Sequence, residues 1–367
     1  MEKKMKRKIV GMMLVVAMVA TLATGCSSNS TAKTSNSTKT GTHTVVDLAG
    51  REVTIPNDVT KVATLCGPSY ETAIMLGAAD QVVMTGNKMG ATGWANVICP
   101  EFANIPVSEN AMAPNVEELV SKGTQVVLYW DAYPDVIKAL EDAGIAVVVT
   151  QLDKTGVNTD ADFLKLKEKE VTLVGDVFGG DAVEKAQKWC EYAEKTTTSI
   201  TSKTANLTAN EIPSVYYVRG PEALSIHGGQ SYTNYLVDMA GGSLVSKADD
   251  ELLYTTTMEQ VVQWNPEYIF MGRVNNIELI TQDPAWSSIQ AVKNGKVYVN
   301  LKGVGVADYS TDCFLLMEQI AKTLHPDLFK DLNMTEEIKS YYNDFYNYKL
   351  TDEQANLILT FKTPEGK

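Results

Sequence analysis

The chain has 367 residues, 44% of them apolar and 21% charged, with 12 Pro and 25 Gly. That is roughly the length of two globular domains, and the composition excludes a disordered, collagen-like or multi-span membrane chain. With 32 basic residues against 45 acidic ones, net −13, it also lacks the basic footprint of a nucleic-acid binder.

In chain order, residues 1–25 have the pattern of a secretory leader. Lys3, Lys4, Lys6, Arg7 and Lys8 make a basic start, and 9–22 is almost wholly apolar. Such a stretch suits a signal segment better than a span of ~30 Å of hydrocarbon. It closes on Leu22-Ala23-Thr24-Gly25-Cys26, which resembles the lipobox of bacterial lipoproteins, with Cys26 as the lipid-bearing residue. Ala23 stands where such a box usually has Leu, and the alternative is an ordinary cleaved signal with a chance cysteine. A Ser/Thr/Asn/Lys tether over 26–41 follows, so the expected domain is extracytoplasmic and anchored through its lipid. Removing 1–25 takes away five basic residues and Glu2, leaving 27 basic and 44 acidic residues, net −17.

Ordered structure should begin with a hairpin, 44–47 and 51–55, around Ala49-Gly50. After Pro56 strands and helices alternate: strands near 62–65, 82–84, 126–129 and 146–149, helices over 70–76, 116–121 and 134–143. Continuous apolar strands alternating with helices predict parallel sheets covered on both faces. Strands vanish over 159–210, where two helical stretches break at Phe178-Gly179-Gly180; the second, ~30 Å long, serves as a rigid spacer. Alternation resumes with strands at 214–218, 268–270 and 297–299 and helices at 232–240, 258–264, 312–324 and 335–345. The predicted organisation is an N-terminal α/β lobe (42–158), a helical segment with a long backbone helix (159–210) and a C-terminal α/β lobe (211–367). Each lobe is expected to be Rossmann-like, with a mostly parallel sheet.

One internal echo stands out. Asn115-Val116-Glu117-Glu118-Leu119-Val120 leads into a strand as Thr257-Met258-Glu259-Gln260-Val261-Val262 does. Glu117 and Glu259 therefore occupy matching first-turn positions, where the helix macrodipole favours an acid in any case.

No hydrolase, zinc-protease, P-loop, dinucleotide or calcium motif occurs, and the chain is not expected to be an enzyme or to hold a cofactor or metal of its own. Four cysteines remain after Cys26 (Cys66, Cys99, Cys190 and Cys313), none in a CxxC, and sequence cannot choose a pairing. His43 borders the tether, His325 follows a helix end, and His227 is placed in a Gly-containing loop where it could meet a ligand. Arginine is scarce: only Arg51, Arg219 and Arg273 follow the leader. Arg219 and Arg273 each stand just past a strand, where open α/β sheets bind ligands, and could grip an anionic oxygen bidentately. The alternative is a salt bridge within the lobe. Ser69, Tyr70, Trp130, Tyr133, Tyr232 and Tyr309 complete the candidate cleft set, with Trp130-Asp131-Ala132-Tyr133 as a cleft wall.

These segments together resemble a family. The pieces are Asp47-Leu48-Ala49-Gly50-Arg51-Glu52-Val53-Thr54-Ile55-Pro56, Leu76-Gly77-Ala78-Ala79-Asp80-Gln81-Val82-Val83 and Met239-Ala240-Gly241-Gly242. Glu259-Gln260-Val261-Val262-Gln263-Trp264-Asn265-Pro266-Glu267, Leu324-His325-Pro326-Asp327-Leu328-Phe329 and Phe345-Tyr346-Asn347-Tyr348-Lys349-Leu350-Thr351-Asp352 follow in order. Across 44–360 the chain resembles the substrate-binding lipoproteins of ABC importers for iron complexes and cobalamin. The resemblance implies two lobes joined by a long helix, a ligand in the cleft between them, and a monomer working with a permease dimer and its cytoplasmic ATPases. It also implies that Glu117 and Glu259 dock on the permease. The ligand expected is an iron–siderophore complex, with haem or a corrinoid such as cobalamin as the alternative.

Overall fold

The computed structural model describes residues 41–86, 88 and 93–367. The leader, Cys26 and all but the last residue of the tether lie outside the described residues. β1 (Thr42–Val46) and β2 (Glu52–Pro56) form the expected antiparallel hairpin. Asp47, fully buried, fastens it: its carboxylate accepts from Arg51 Nε at 2.9 Å and from the Val149 backbone N–H at 3.2 Å. Arg51 also donates to the Val147 carbonyl, so the hairpin docks on the N-terminal lobe.

In that lobe β3 (Val62–Thr64), β4 (Val82–Thr85), β5 (Val126–Trp130) and β6 (Ala146–Gln151) lie in the order β4-β3-β5-β6, every pair parallel. Helices α1 (Ser69–Met75), α2 (Gly93–Ile98), α3 (Val116–Ser121) and α4 (Pro134–Asp142) flank the sheet. The central residues of β5 and β6 are buried, which is why these strands are unbroken Val/Leu runs rather than alternating ones.

The link between the lobes is a helical pair, α5 (Asp160–Phe178) and α6 (Asp181–Thr204). Gly179 and Gly180 break it at φ of 69° and 56° with open space around each, so glycine is needed there for backbone conformation alone. A Cβ at Gly175 would press on Ala182 and Ala186, so small residues set the close approach of the two helices. The sequence places the spacer on the second helix, but the first touches both lobes. Lys169 of α5 donates to the Asp47 carbonyl, Lys167 to that of Tyr309, and Phe163 stacks on Tyr235 at 5.6 Å. Helix α6 braces the C-terminal lobe through Trp189 against Phe314.

The C-terminal lobe runs β7 (Ser214–Val218), β8 (Ser225–His227), α7 (Tyr232–Met239), β9 (Ser243–Leu244), β10 (Leu253–Thr255), α8 (Met258–Trp264) and β11 (Tyr268–Met271). Then come α9 (Glu278–Thr281), α10 (Gln290–Lys293), β12 (Val297–Val299), α11 (Cys313–Leu324), α12 (Met334–Phe345) and α13 (Asp352–Leu359). β7, β9, β11 and β12 are parallel, and β8 and β10 extend the same sheet antiparallel beyond β7. The four described cysteines, Cys66, Cys99, Cys190 and Cys313, are free thiols. No described helix is long and apolar enough to cross a membrane.

Candidate functional site

The predicted residues gather where parallel strands end. In the C-terminal lobe Arg219 follows β7, Arg273 follows β11 by two residues, and β12 feeds a loop, 300–312, that carries Asp308 and Tyr309. The two arginines have different fates. Arg273 is held by Asp308 through Nε at 3.1 Å and Nη2 at 3.0 Å, and Nη2 also donates to the Tyr232 hydroxyl. Its guanidinium lies 4.8 Å over the Tyr309 ring, which stacks on Tyr232 at 5.6 Å. For Arg273 the lobe-internal salt bridge is therefore what forms.

Arg219 has no carboxylate partner among the described residues; its side chain makes one hydrogen bond there, from Nη1 to the carbonyl of neighbouring Gly220 at 3.1 Å. Burial and then the like charge of Arg273 lower its pKa, while Tyr232 and Asp308 raise it. A half-buried cation beside a second cation is an environment that a bound anion relieves.

His227 corrects the sequence reading. It is the last residue of β8, paired with Leu253, and not part of a loop. The ring is buried, stacked 5.7 Å from Tyr217 and edge-on to Tyr232, with Nδ1 3.0 Å from the Thr233 hydroxyl. Burial pushes its pKa down to about 4, so it is a neutral packing residue at neutral pH rather than a group offered to the cleft.

The N-terminal lobe contributes uncharged groups. Trp130 and Gln151 end β5 and β6 as register partners. Trp130 Nε1 and Gln151 Oε1 are both buried without a hydrogen-bond partner, a costly state for polar atoms. Tyr133 packs edge-on to Trp130 at 5.4 Å, so the two rings stand together at the end of β5. Gly67, at φ 38°, sits where any side chain would strike the Gln151 amide, and a methyl group there would stand 3.8 Å from Tyr309 Cε2. The loops after β3 and β12 thus come close where the two lobes meet.

Two predicted contacts turn inward. The Ser69 hydroxyl donates to the Cys66 carbonyl at 2.7 Å and neighbours Thr150. Tyr70 stacks on Phe102 at 5.1 Å and is buried, its pKa pushed up by burial. Both serve the base of the cleft rather than its surface. Asp308 and Gln151 are the residues the sequence did not suggest. No group of three or more His, Cys, Asp or Glu among the described residues could hold a metal ion.

Glu117 and Glu259 are exposed, each in the first turn of a helix leading into a central strand. Asn115 caps α3 by accepting from the Glu118 N–H, and Thr257 caps α8 by accepting from that of Gln260, so the sequence echo is a repeated local structure. First-turn N–H groups and the Thr257 hydroxyl lower the Glu259 pKa.

A family model described as periplasmic binding protein matches residues 62–300. The molybdate-binding protein MolA of Haemophilus influenzae is 24% identical over 332 residues, covering 85% of this chain and 93% of MolA. The structure of MolA bound to molybdate shares the fold, with a TM-score of 0.76 at 23% identity over 84% of this chain and 99% of that one. YvrC of Bacillus subtilis, an uncharacterized ABC transporter substrate-binding lipoprotein, is 24% identical over 333 residues, 89% of this chain and 100% of YvrC. The high-affinity heme uptake system protein IsdE of Staphylococcus aureus is 26% identical over 206 residues, 54% of this chain and 66% of IsdE.

Proposed function

The chain belongs to the periplasmic binding protein family, and from that premise we propose that it captures an anionic, oxygen-bearing metal species between its lobes and passes it to an ABC importer. Arg219 carries this reading, as a cleft guanidinium without a carboxylate partner beside a second one that Asp308 neutralises. Trp130 Nε1, an unpartnered donor of the N-terminal lobe, is the second group offered to the anion in this reading. In this reading the role is capture and release.

The close meeting of Gly67, Gln151 and Tyr309 favours a small oxyanion such as molybdate, the ligand in the name of the relative MolA. A ferric siderophore is the second reading, favoured by the aromatic surface of Trp130, Tyr133, Tyr232 and Tyr309, which suits a larger anionic chelate. Haem loses its proposed contact at His227, and a corrinoid would leave Arg219 unused. Calorimetric titration with molybdate, sulfate, a ferric catecholate, haem and cobalamin tests the choice. Capture of an anion that weakens about 10- to 100-fold in Arg219→Ala, the effect of one charge-assisted hydrogen bond, supports the proposal; tight binding of cobalamin alone opposes it.

Delivery would use Glu117 and Glu259 against basic residues of a two-fold permease, with the protein a monomer held at the membrane through Cys26. Charge reversal at both glutamates should abolish uptake by cells and leave ligand affinity unchanged. Cys26→Ala should move the protein from the membrane fraction to the medium or periplasm. Unchanged uptake in the first variant, or membrane retention in the second, would remove these parts of the account.

A further inference from the structure

A buried carboxylic acid of the N-terminal lobe takes no part in the cleft chemistry. Glu71 lies on α1 of the N-terminal lobe and is 1% exposed. Its side chain reaches out of that lobe to loop 300–312. The carboxyl group fills the place a side chain at Gly305 would take, so residue 305 must be glycine for the two to meet. It lies beside Ser310 and Thr311, whose side chains favour its charged form. Its Oε1 and the Thr311 hydroxyl are buried without hydrogen-bond partners.

The same loop carries the C-terminal wall of the cleft. Asp308 grips Arg273, and Tyr309 supports its guanidinium. On the other side Lys167 of α5 donates to the Tyr309 carbonyl at 2.9 Å while paired with Glu170. The loop ends at Asp312, fully buried, whose oxygens lie 3.5 Å from the hydroxyls of Tyr342 on α12 and of Tyr346 just past its end.

Resting on the reading of Tyr309 and Arg273 as a ligand-facing wall, we infer that Glu71 is a positioning residue, reaching across the lobe junction to hold loop 300–312 and with it that wall. Its protonation state matters because the junction is crowded with acid. Burial, then the charge of Asp312, pushes the Glu71 pKa well above the ordinary carboxylate range; burial pushes that of Asp312 to about 7. The other groups facing Glu71 are Lys167 with its partner Glu170, Lys302, Cys313, and the phenols of Tyr70, Tyr309, Tyr342 and Tyr346. Among these cations Lys167 also donates to the loop backbone, and Glu170 already neutralises it. A proton on Glu71 removes its repulsion with Asp312 and gives the unpartnered oxygens a donor. Both acids hold protons more tightly folded than unfolded, so their contribution to stability is fullest below about pH 4 and is lost as pH rises to 7 and above.

The test uses the full chain as wild type, Glu71→Gln and Glu71→Ala. Amide hydrogen exchange over 304–312 should quicken about tenfold or more in the alanine variant, the response of a segment that has lost its local anchor, and return to the wild-type rate in the glutamine variant. The thermal midpoint of the wild type should fall between pH 5 and 8, and Glu71→Gln should fall less. Unchanged protection of 304–312 in Glu71→Ala, or a glutamine variant with the wild-type pH profile, would overturn the inference. Should Glu71→Ala fail to fold, the pH profile of Glu71→Gln decides alone. Neither readout uses a ligand, so the outcome does not depend on whether anion capture is upheld.

Discussion

The two sides of the cleft are built from equivalent positions, the ends of parallel strands, yet they offer different chemistry. The C-terminal side brings two guanidiniums, one neutralised by Asp308 and one not. The N-terminal side brings uncharged polar atoms, Trp130 Nε1 and Gln151 Oε1, with no partner. Under the proposed function the C-terminal lobe would select for charge and the N-terminal lobe for hydrogen-bonding geometry. This difference also explains why two arginines at matching positions do not share a role: the acid that claims Arg273 comes from the loop after β12, and among the described residues no carboxylate pairs with Arg219.

The contrast can be broken first at Asp308. Asp308→Ala leaves the largely buried Arg273 unpaired and should destabilise the fold by about 3–5 kcal/mol, read as a lower denaturation midpoint. Acid exposes a second difference. His227 holds its proton less tightly folded than unfolded, so its contribution falls away as pH drops from 6.5 toward about 4. That loss, on the order of 3 kcal/mol, should disappear from the pH–stability curve in His227→Gln. It runs opposite to the Glu71–Asp312 junction, which favours acid, and the two should be separable by substitution.

Smaller effects sharpen the division of labour. Arg219→Ala should leave thermal stability within about 0.5 kcal/mol of wild type while weakening anion capture by about 1.5–3 kcal/mol. Gln151→Leu should cost about 0.5–1.5 kcal/mol of affinity, the range of a neutral hydrogen bond, and affect oxyanions and siderophores unequally. A calorimetric series over these two variants checks both figures. If Gln151→Leu proves the costlier, charge is not what the cleft reads.

Much of the fold was legible because burial on both faces leaves an unmistakable pattern. Strands β5 and β6, the helix 258–264 and the hairpin around Ala49-Gly50 fall where the sequence places them. Strands β8 and β10 did not, since each has three residues and is stabilised by the other across 28 or so positions of chain. That error moved His227 from a strand to a loop and with it into the cleft. Helix α13 carried a readable signal, the capping box of Thr351 and Gln354, that the periodicity alone did not supply. The arginine positions were visible as residues following strands. Their partners were not: Asp308 is 35 residues from Arg273, and Gly67 meets Gln151 only through sheet register.

The account stands most directly on one titration: molybdate and a ferric catecholate, each into wild type and Arg219→Ala at low and high salt. It predicts saturable one-to-one binding of at least one of these anions to the wild type, weakened about 10-fold or more by the substitution and by salt. Anion binding of equal strength in both proteins, or none in either, would contradict it.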